Sequence, residues 1–213
     1  MEYALLENNR IPASPLLHQK QSAVCPCCKA PVMAKCGEIY VWHWAHINQD
    51  DCDRWSEPES EWHKSWKGLF PQELTEVVIG EHRADIRSKY GVVIELQHSP
   101  IDISEVVERE NFYKNMVWIL DANDFWDNLE FTNSFRYRWK RPKKVFSAFT
   151  FPVYFHKSNW LFRVDTKYWA NKNFLGEGQF ITKQKFMDWT NRIVKVDRKY
   201  LNISNRLSAG WAI

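Results

Sequence analysis

Between Glu81 and Ser99, apolar and polar residues alternate with the period of two that marks half-buried strands. Ala84 and Ile86 fall on one side of the first strand, and Arg83, Asp85 and Arg87 fall on the other. Ser88–Gly91 supplies a turn, with Gly91 free to take a positive φ. On the return strand Val92, Ile94 and Leu96 pack inward, while Val93, Glu95 and Gln97 share the side of Asp85. A strand over Leu74–Ile79 precedes this hairpin. Upstream, Glu57–Phe70 reads as a helix with Ser56 as its N-cap and Pro58 in its first turn. Glu59, His63 and Lys67 recur at i, i+4 and i+8 and lie on one helix face. Downstream, Ser104–Met116 reads as a second helix and Val117–Leu120 as a short apolar strand of the kind buried on both faces. Residues 57–130 therefore predict an αβββαβ order.

The segment before this core, residues 1–56, has a different character. Tyr3–Leu6 predicts a strand followed by a turn at Glu7–Asn9. Cys25-Pro-Cys27-Cys28 follows a loop, and Val32–Lys35 with Glu38–Trp42 predicts a hairpin turning at Cys36-Gly37. The hairpin delivers His43-Trp-Ala-His46, and Cys52 comes next. Cys25 and Cys28 have the Cys-x2-Cys spacing that closes on one zinc ion, which takes four tetrahedral N or S ligands in a structural site. His46 and Cys52 complete the expected set, with His43 as the competing ligand and Cys27 and Cys36 as bystanders. Four protein ligands leave no open coordination position, so this zinc is expected to be structural.

Beyond residue 130 the composition shifts. From Phe131 to Ala170 nine Lys or Arg residues stand against one acid, Asp165, interleaved with Phe, Tyr and Trp. Basic side chains neutralise phosphates and aromatic rings stack on unpaired bases. The run Arg138-Trp139-Lys140-Arg141 is accordingly a nucleic-acid candidate, single-stranded DNA in particular. Most of the other aromatics fit a β-rich core, with a hairpin of Val153–His156 and Trp160–Val164 turning at Lys157–Asn159. Thr182–Val194 predicts a last helix.

Composition narrows the class. Hydrophobic content of 45% with 26% charged residues excludes a disordered chain. The net charge of +3 says little about partners, whereas the local basic excess does. No basic start leads into an apolar run and no window approaches a membrane span, so neither a signal peptide nor a membrane partner is expected. Four of the five cysteines fall within Cys25–Cys36, which suits a metal site in a reducing cytoplasm better than a disulfide framework.

Asp85 and Glu95 on a rigid hairpin offer the hard oxygen ligands that Mg²⁺ prefers. The same alternation also describes an ordinary solvated hairpin face. What separates the two is the order of motifs: Cys-Pro-x-Cys, His-x-Ala-His, Glu59-Ser60-x-x-His63-x-x-x-Lys67, Arg83-x-Asp85, Glu95-x-Gln97-x-Ser99 and Arg109-x-x-x-Tyr113. Together they resemble the CoiA family, competence-linked nucleases of the PD-(D/E)XK superfamily, over roughly residues 1–125. The resemblance implies an α/β restriction-endonuclease-like αβββαβ core with an N-terminal zinc-binding element, followed here by an aromatic, basic extension over residues 131–213.

It further implies that Asp85 and Glu95 hold Mg²⁺ or Mn²⁺ and that Glu59 adds a carboxylate directly or through water. His63 and Lys67 would line the site, Lys67 or Arg83 would contact phosphate, and Arg109 would clamp helix to sheet. Gln97 would stand where the superfamily usually has lysine, although the family itself commonly carries glutamine there. A glutamine supplies neither positive charge nor a proton, so Lys67 substitutes, the metal acts alone, or turnover is lost. The expected activity is metal-dependent hydrolysis of DNA in uptake, recombination or defence, alongside recombination or uptake proteins. The alternatives are a non-catalytic zinc-containing nucleic-acid-binding protein of the same fold and a zinc-dependent interaction module.

Overall fold

A computed structural model of the chain describes residues 1–17, 23–48, 52–55, 58–132 and 135–199. The chain divides into two compact units, Met1–Arg87 and Ser88–Ile213.

The first unit begins with an antiparallel sheet of β1 (Tyr3–Leu6), β2 (Asn9–Pro12), β3 (Ala23–Val24), β4 (Pro31–Lys35) and β5 (His43–His46). Their order is β2-β1-β3-β4-β5. Glu7 and Asn8 both take positive φ, 49° and 67°, as a two-residue hairpin turn that follows the strand twist requires. Ala4, Ala23, Cys25, Val32, Ala34 and Trp44 form the core beneath the sheet. The return strand of the second hairpin is His43–His46, not Glu38–Trp42 as the sequence suggested. Trp44 decides this register: it buries its ring and donates Nε1–H to Ile11 O at 3.1 Å. Ile39, Tyr40 and Trp42 consequently stay exposed in the connecting loop.

Helix α1 spans Glu61–Lys67, shorter at both ends than expected. Its N-cap is Ser60, whose Oγ accepts from His63 N; the expected cap, Ser56, lies outside the described residues. Gly68 closes the helix by donating to Lys64 O at 2.8 Å. Strands β6 (Thr75–Ile79) and β7 (His82–Arg87) then pair antiparallel, with Val77 opposite Ala84. As the alternation required, Ala84 and Ile86 are fully buried.

The second unit opens with the turn at Ser88–Gly91, closed by Gly91 N–H to Ser88 O at 2.8 Å with Gly91 at φ 87°. Strand β8 (Val93–Gln97), helix α2 (Ile103–Tyr113) and strand β9 (Met116–Asp121) follow, so the chain runs α1-β6-β7-β8-α2-β9. β8 and β9 are parallel, Glu95 opposite Trp118, and every residue of both is buried. Burial on both faces is the usual state of parallel strands.

The remaining strands are β10 (Leu129–Phe131), β11 (Arg136–Lys140), β12 (Val153–Lys157), β13 (Trp160–Val164), β14 (Tyr168–Ala170) and β15 (Asn173–Thr182), before helix α3 (Lys183–Thr190). β12 joins β9 in parallel, and the order onward is β12-β13-β15-β11-β10, with β14 also on β15. One sheet therefore continues across position 131, where the composition shifts. Its packing is aromatic: Phe125 stacks on Trp139 at 4.4 Å between centroids, and Trp139 meets Phe146 edge-on at 5.0 Å.

Strand β15 changes partners midway, pairing with β11 through Glu177 and with β13 from Gly178. A Cβ on Gly178 would lie 2.4 Å from Arg163 O and 2.5 Å from the Phe162 ring. Gly178→Ala is expected to cost about 1–3 kcal/mol by overpacking, read as a fall of several degrees in the thermal melt.

Candidate functional site

Two sets of side chains carry chemistry in the first unit. In the first set, the Cys25–Cys28 knuckle turns tightly: Cys25 N–H donates to Ala30 O and Lys29 N–H to Cys25 O, with Lys29 at φ 63°. Cys27 N–H points at Cys25 Sγ, 3.3 Å away. Strand β5 brings His46, and Cys52 arrives from the following segment. Cys25 Sγ lies 3.5 Å from Cys52 Sγ, and Cys28 Sγ lies 3.3 Å from His46 Nε2. All four donor atoms fall within 4.8 Å of one another. Zn–S bonds near 2.3 Å place tetrahedral sulfurs about 3.7 Å apart, so this Cys3His group has the donor set and spacing for zinc. Burial, with Cys25 and Cys28 alongside, pushes the Cys52 thiol up, and a cation at the centre relieves that crowding of sulfurs. His43, the competing ligand, stands outside the group with Nδ1 2.7 Å from Val41 O.

The second set surrounds Lys67, the last residue of α1, which is 4% exposed. Its ammonium donates to Glu59 Oε2 at 2.9 Å and Glu76 Oε1 at 3.1 Å, and stands 3.7 Å from Asp85 Oδ1. Burial alone would lower the Lys67 pKa; Glu76, Asp85 and Glu59 outweigh it and hold the pKa above the usual lysine value. Lys67 is therefore a fixed cation at neutral pH and no proton acceptor. Glu76 is its mirror image, a carboxyl that burial would raise but that Lys67 and Arg83 hold far below the usual range. It also accepts Glu2 N–H at 2.8 Å and Tyr3 N–H at 3.1 Å, which ties β1 to β6. Its φ of 46° is strained for a non-glycine residue, at a cost of about 1–3 kcal/mol.

Glu59, Lys67 and Asp85, site candidates from their sequence pattern, come together in this unit. Glu76 joins them unexpectedly. The available signal was an acid inside the otherwise apolar strand Thr75–Ile79, where an unpaired charge cannot stay. His63 is buried and its Nδ1 meets Ser60 Oγ at 2.8 Å, at the start of α1. Arg83 donates its backbone N–H to Asp53 Oδ2 at 2.7 Å, and its guanidinium reaches Met1 Sδ at 3.4 Å.

In the second unit, Glu95 on β8 accepts from Arg109 Nη1 on α2 at 2.7 Å, with both side chains buried. Arg109 Nη2 pairs with Glu105 one helical turn earlier. This is the helix-to-sheet clamp expected of Arg109. Gln97, 5% exposed, donates Nε2–H to Ser99 O at 2.9 Å.

Strand β11 corrects one expectation. Its burial alternates, so Tyr137 and Trp139 turn into the core at 2% and 3% exposure. Trp139 is therefore no solvent-exposed stacking platform on this strand: Phe125 stacks on one face of its ring and Phe146 meets it edge-on. Arg138, Lys140 and Arg141 do face solvent, and Lys140 pairs with Glu130 on β10.

Comparison with known families decides the wider assignment. A model of the N-terminal domain of competence protein CoiA matches residues 8–54, and one of its nuclease-like domain matches residues 73–192. The chain belongs to the CoiA competence family. The first match spans all four Cys3His donors, and the second spans Glu76, Asp85, Glu95, Gln97 and Arg109. The nuclease-like CoiA domain also includes β10–β15 and α3, well past the motifs that carried the resemblance. No curated protein and no solved structure matches the chain. No helix among the described residues is long and apolar enough to cross a membrane.

Cys52→Ser is expected to reduce bound zinc from about one ion per chain to well below that, by elemental analysis, while Cys27→Ser leaves it unchanged. Lys67→Met strands buried carboxylates and should cost about 3–5 kcal/mol in denaturant unfolding. Because the folded carboxyl of Glu76 is depressed, the stability it adds is full above the ordinary carboxylate range and is lost as pH falls. Glu76→Gln should therefore flatten the acid limb of stability against pH.

Proposed function

We propose that the protein is a Mg²⁺- or Mn²⁺-dependent deoxyribonuclease that also carries a structural zinc in its N-terminal domain. The observation that carries this reading is the nuclease-like match over residues 73–192, within which Asp85 and Glu95 are the acids on β7 and β8. Their oxygen donors suit a hard divalent ion that keeps several waters. Asp85, with a side chain 22% exposed, keeps access to solvent. Such an ion supplies two things, a water of lowered pKa and neutralisation of charge on phosphate oxygens.

The chain's own residues do the rest. Arg109 fixes the Glu95 carboxylate in one orientation. Lys67 holds Glu59 by both oxygens and keeps Asp85 from repelling its neighbours, so Glu59 acts by orienting Lys67. Gln97 can donate a hydrogen bond to a phosphate oxygen but cannot transfer a proton. Since Lys67 stays protonated, neither residue deprotonates water, and proton removal falls to bulk solvent or the phosphate itself. Arg138 and Arg141 draw the strand in through its phosphates. DNA taken up or recombining in the cytoplasm is the substrate that suits a competence-family protein, handled beside recombination or uptake proteins.

A second reading, a non-catalytic nucleic-acid-binding protein, is favoured by one feature, the glutamine at position 97. Labelled single- and double-stranded DNA incubated with Mg²⁺, Mn²⁺ or EDTA separates the two. Metal-dependent cutting is expected, reduced about 100-fold or more in Asp85→Asn and in Glu95→Gln, each assayed well below its own melting temperature. Binding without cutting under every metal condition would establish the second reading instead.

A further inference from the structure

A cavity opens in the second unit just past the C-terminal ends of the parallel strands β8 and β9. Ligands in sheets of this kind favour that end of the strands. Its floor is aromatic, made of Phe125, Trp139, Phe146 and Phe149, all buried. Its rim is polar and carries His98, Asp121, Asp124 and Lys143. Gln97 also lines it, two residues after Glu95 on the same strand. The volume open to the centre of a water molecule is ≈ 50 Å³. That is room for about four waters, comparable with the bulk of one six-membered ring with its substituents.

The rim is built and ordered. Asp121 Oδ2 accepts from His98 Nδ1 at 2.8 Å, and Asp121 Oδ1 accepts from Asn123 N and Nδ2 at 3.1 and 2.8 Å. With Nδ1 committed to Asp121, His98 turns its other ring nitrogen elsewhere; its side chain is 46% exposed. The basic run Lys140-Arg141-Pro142-Lys143-Lys144 leaves the end of β11 and arrives at this rim, so cationic side chains flank the mouth. An apolar aromatic floor, carboxylates at the rim and lysines outside describe a group that is flat, carries amino hydrogens and trails phosphates.

Resting on the assignment of DNA as the substrate, we infer that this cavity receives one unstacked pyrimidine of the strand, cytosine in preference to thymine. A planar ring gains by contact with the aromatic floor. The cytosine N4 amino group donates to a carboxylate such as Asp124, whereas thymine presents the O4 acceptor at that position, which a carboxylate oxygen cannot satisfy. Lys143 meets the adjoining phosphate. The pocket thus sets the register of the strand relative to Glu95 and Gln97.

The test measures binding in EDTA, where no strand is cut. Wild-type protein is titrated with labelled single-stranded oligodeoxycytidine, the same length of oligodeoxythymidine, and oligodeoxycytidine carrying one abasic nucleotide flanked by purines and moved along the strand. In that series one position is expected to lower affinity about tenfold, equivalent to about 1.4 kcal/mol. Oligodeoxycytidine should bind several-fold tighter than oligodeoxythymidine. Val145→Trp, which adds a ring to the cavity wall, should bind intact and abasic strands alike. A wild-type scan that is flat at every position would overturn the inference, as would discrimination that survives Val145→Trp. A flat scan together with Mg²⁺-dependent cutting would sink the pocket alone. No binding and no cutting would sink the nuclease assignment and the pocket with it.

Discussion

A charge can stay inside a protein only when partners surround it, and the first unit is arranged around one such charge. Lys67 ends a helix of seven residues and reaches carboxylates from three other places: Glu59 before the helix, Glu76 on β6 and Asp85 on β7. Each would be costly to bury alone. Together they fix where α1 lies against the β6–β7 hairpin, and Glu76 extends the network to the backbone of β1. The strained backbone at Glu76 is held by these contacts, from the Lys67 ammonium on one side and the β1 backbone on the other.

The second unit meets the same constraint with different residues. Glu110 on α2 is fully buried and accepts from Trp118 Nε1 on β9 and from the backbone N–H groups of Thr150 and Phe151. Arg109, beside it in sequence, holds Glu95. Two consecutive residues of one helix thus anchor it to the sheet through opposite charges. Lys167 is the exception in kind: buried against Phe146 and Phe149, its amine is pushed down by burial to about 7, and its partner is the carbonyl of Phe146. It stands within reach of its neutral form at physiological pH, which lowers the cost of its burial.

These networks also order the chemistry. A lysine held protonated by three acids cannot serve as a base, and a glutamine has no proton to transfer. Zinc, by contrast, suits a group of sulfurs and one imidazole that offers no open position, far removed in ligand type from the carboxylates of the nuclease-like domain.

The sequence by itself determined whatever depends on local spacing. Cys-x2-Cys followed by His and Cys announced the metal group, and period-two alternation announced β7 with Ala84 and Ile86 buried. Glycine at 91 announced the turn before β8, and the hairpin of β12 and β13 was visible from its turn residues. Tertiary structure alone decided matters that turn on distant partners. Glu38–Trp42 has strand-like composition, yet Trp44 found the core and Ile39 and Tyr40 did not. Trp139 stands in a basic run that suggests a stacking platform, but β11 lies inside a sheet whose other aromatics enclose it. Glu76 showed in the sequence only as an acid within an apolar strand, and its role is explained by the lysine nine residues away that folding brings to it. Periodicity reports which side of an element is apolar; which neighbour covers that side, and which charge meets it, is decided only when the elements pack.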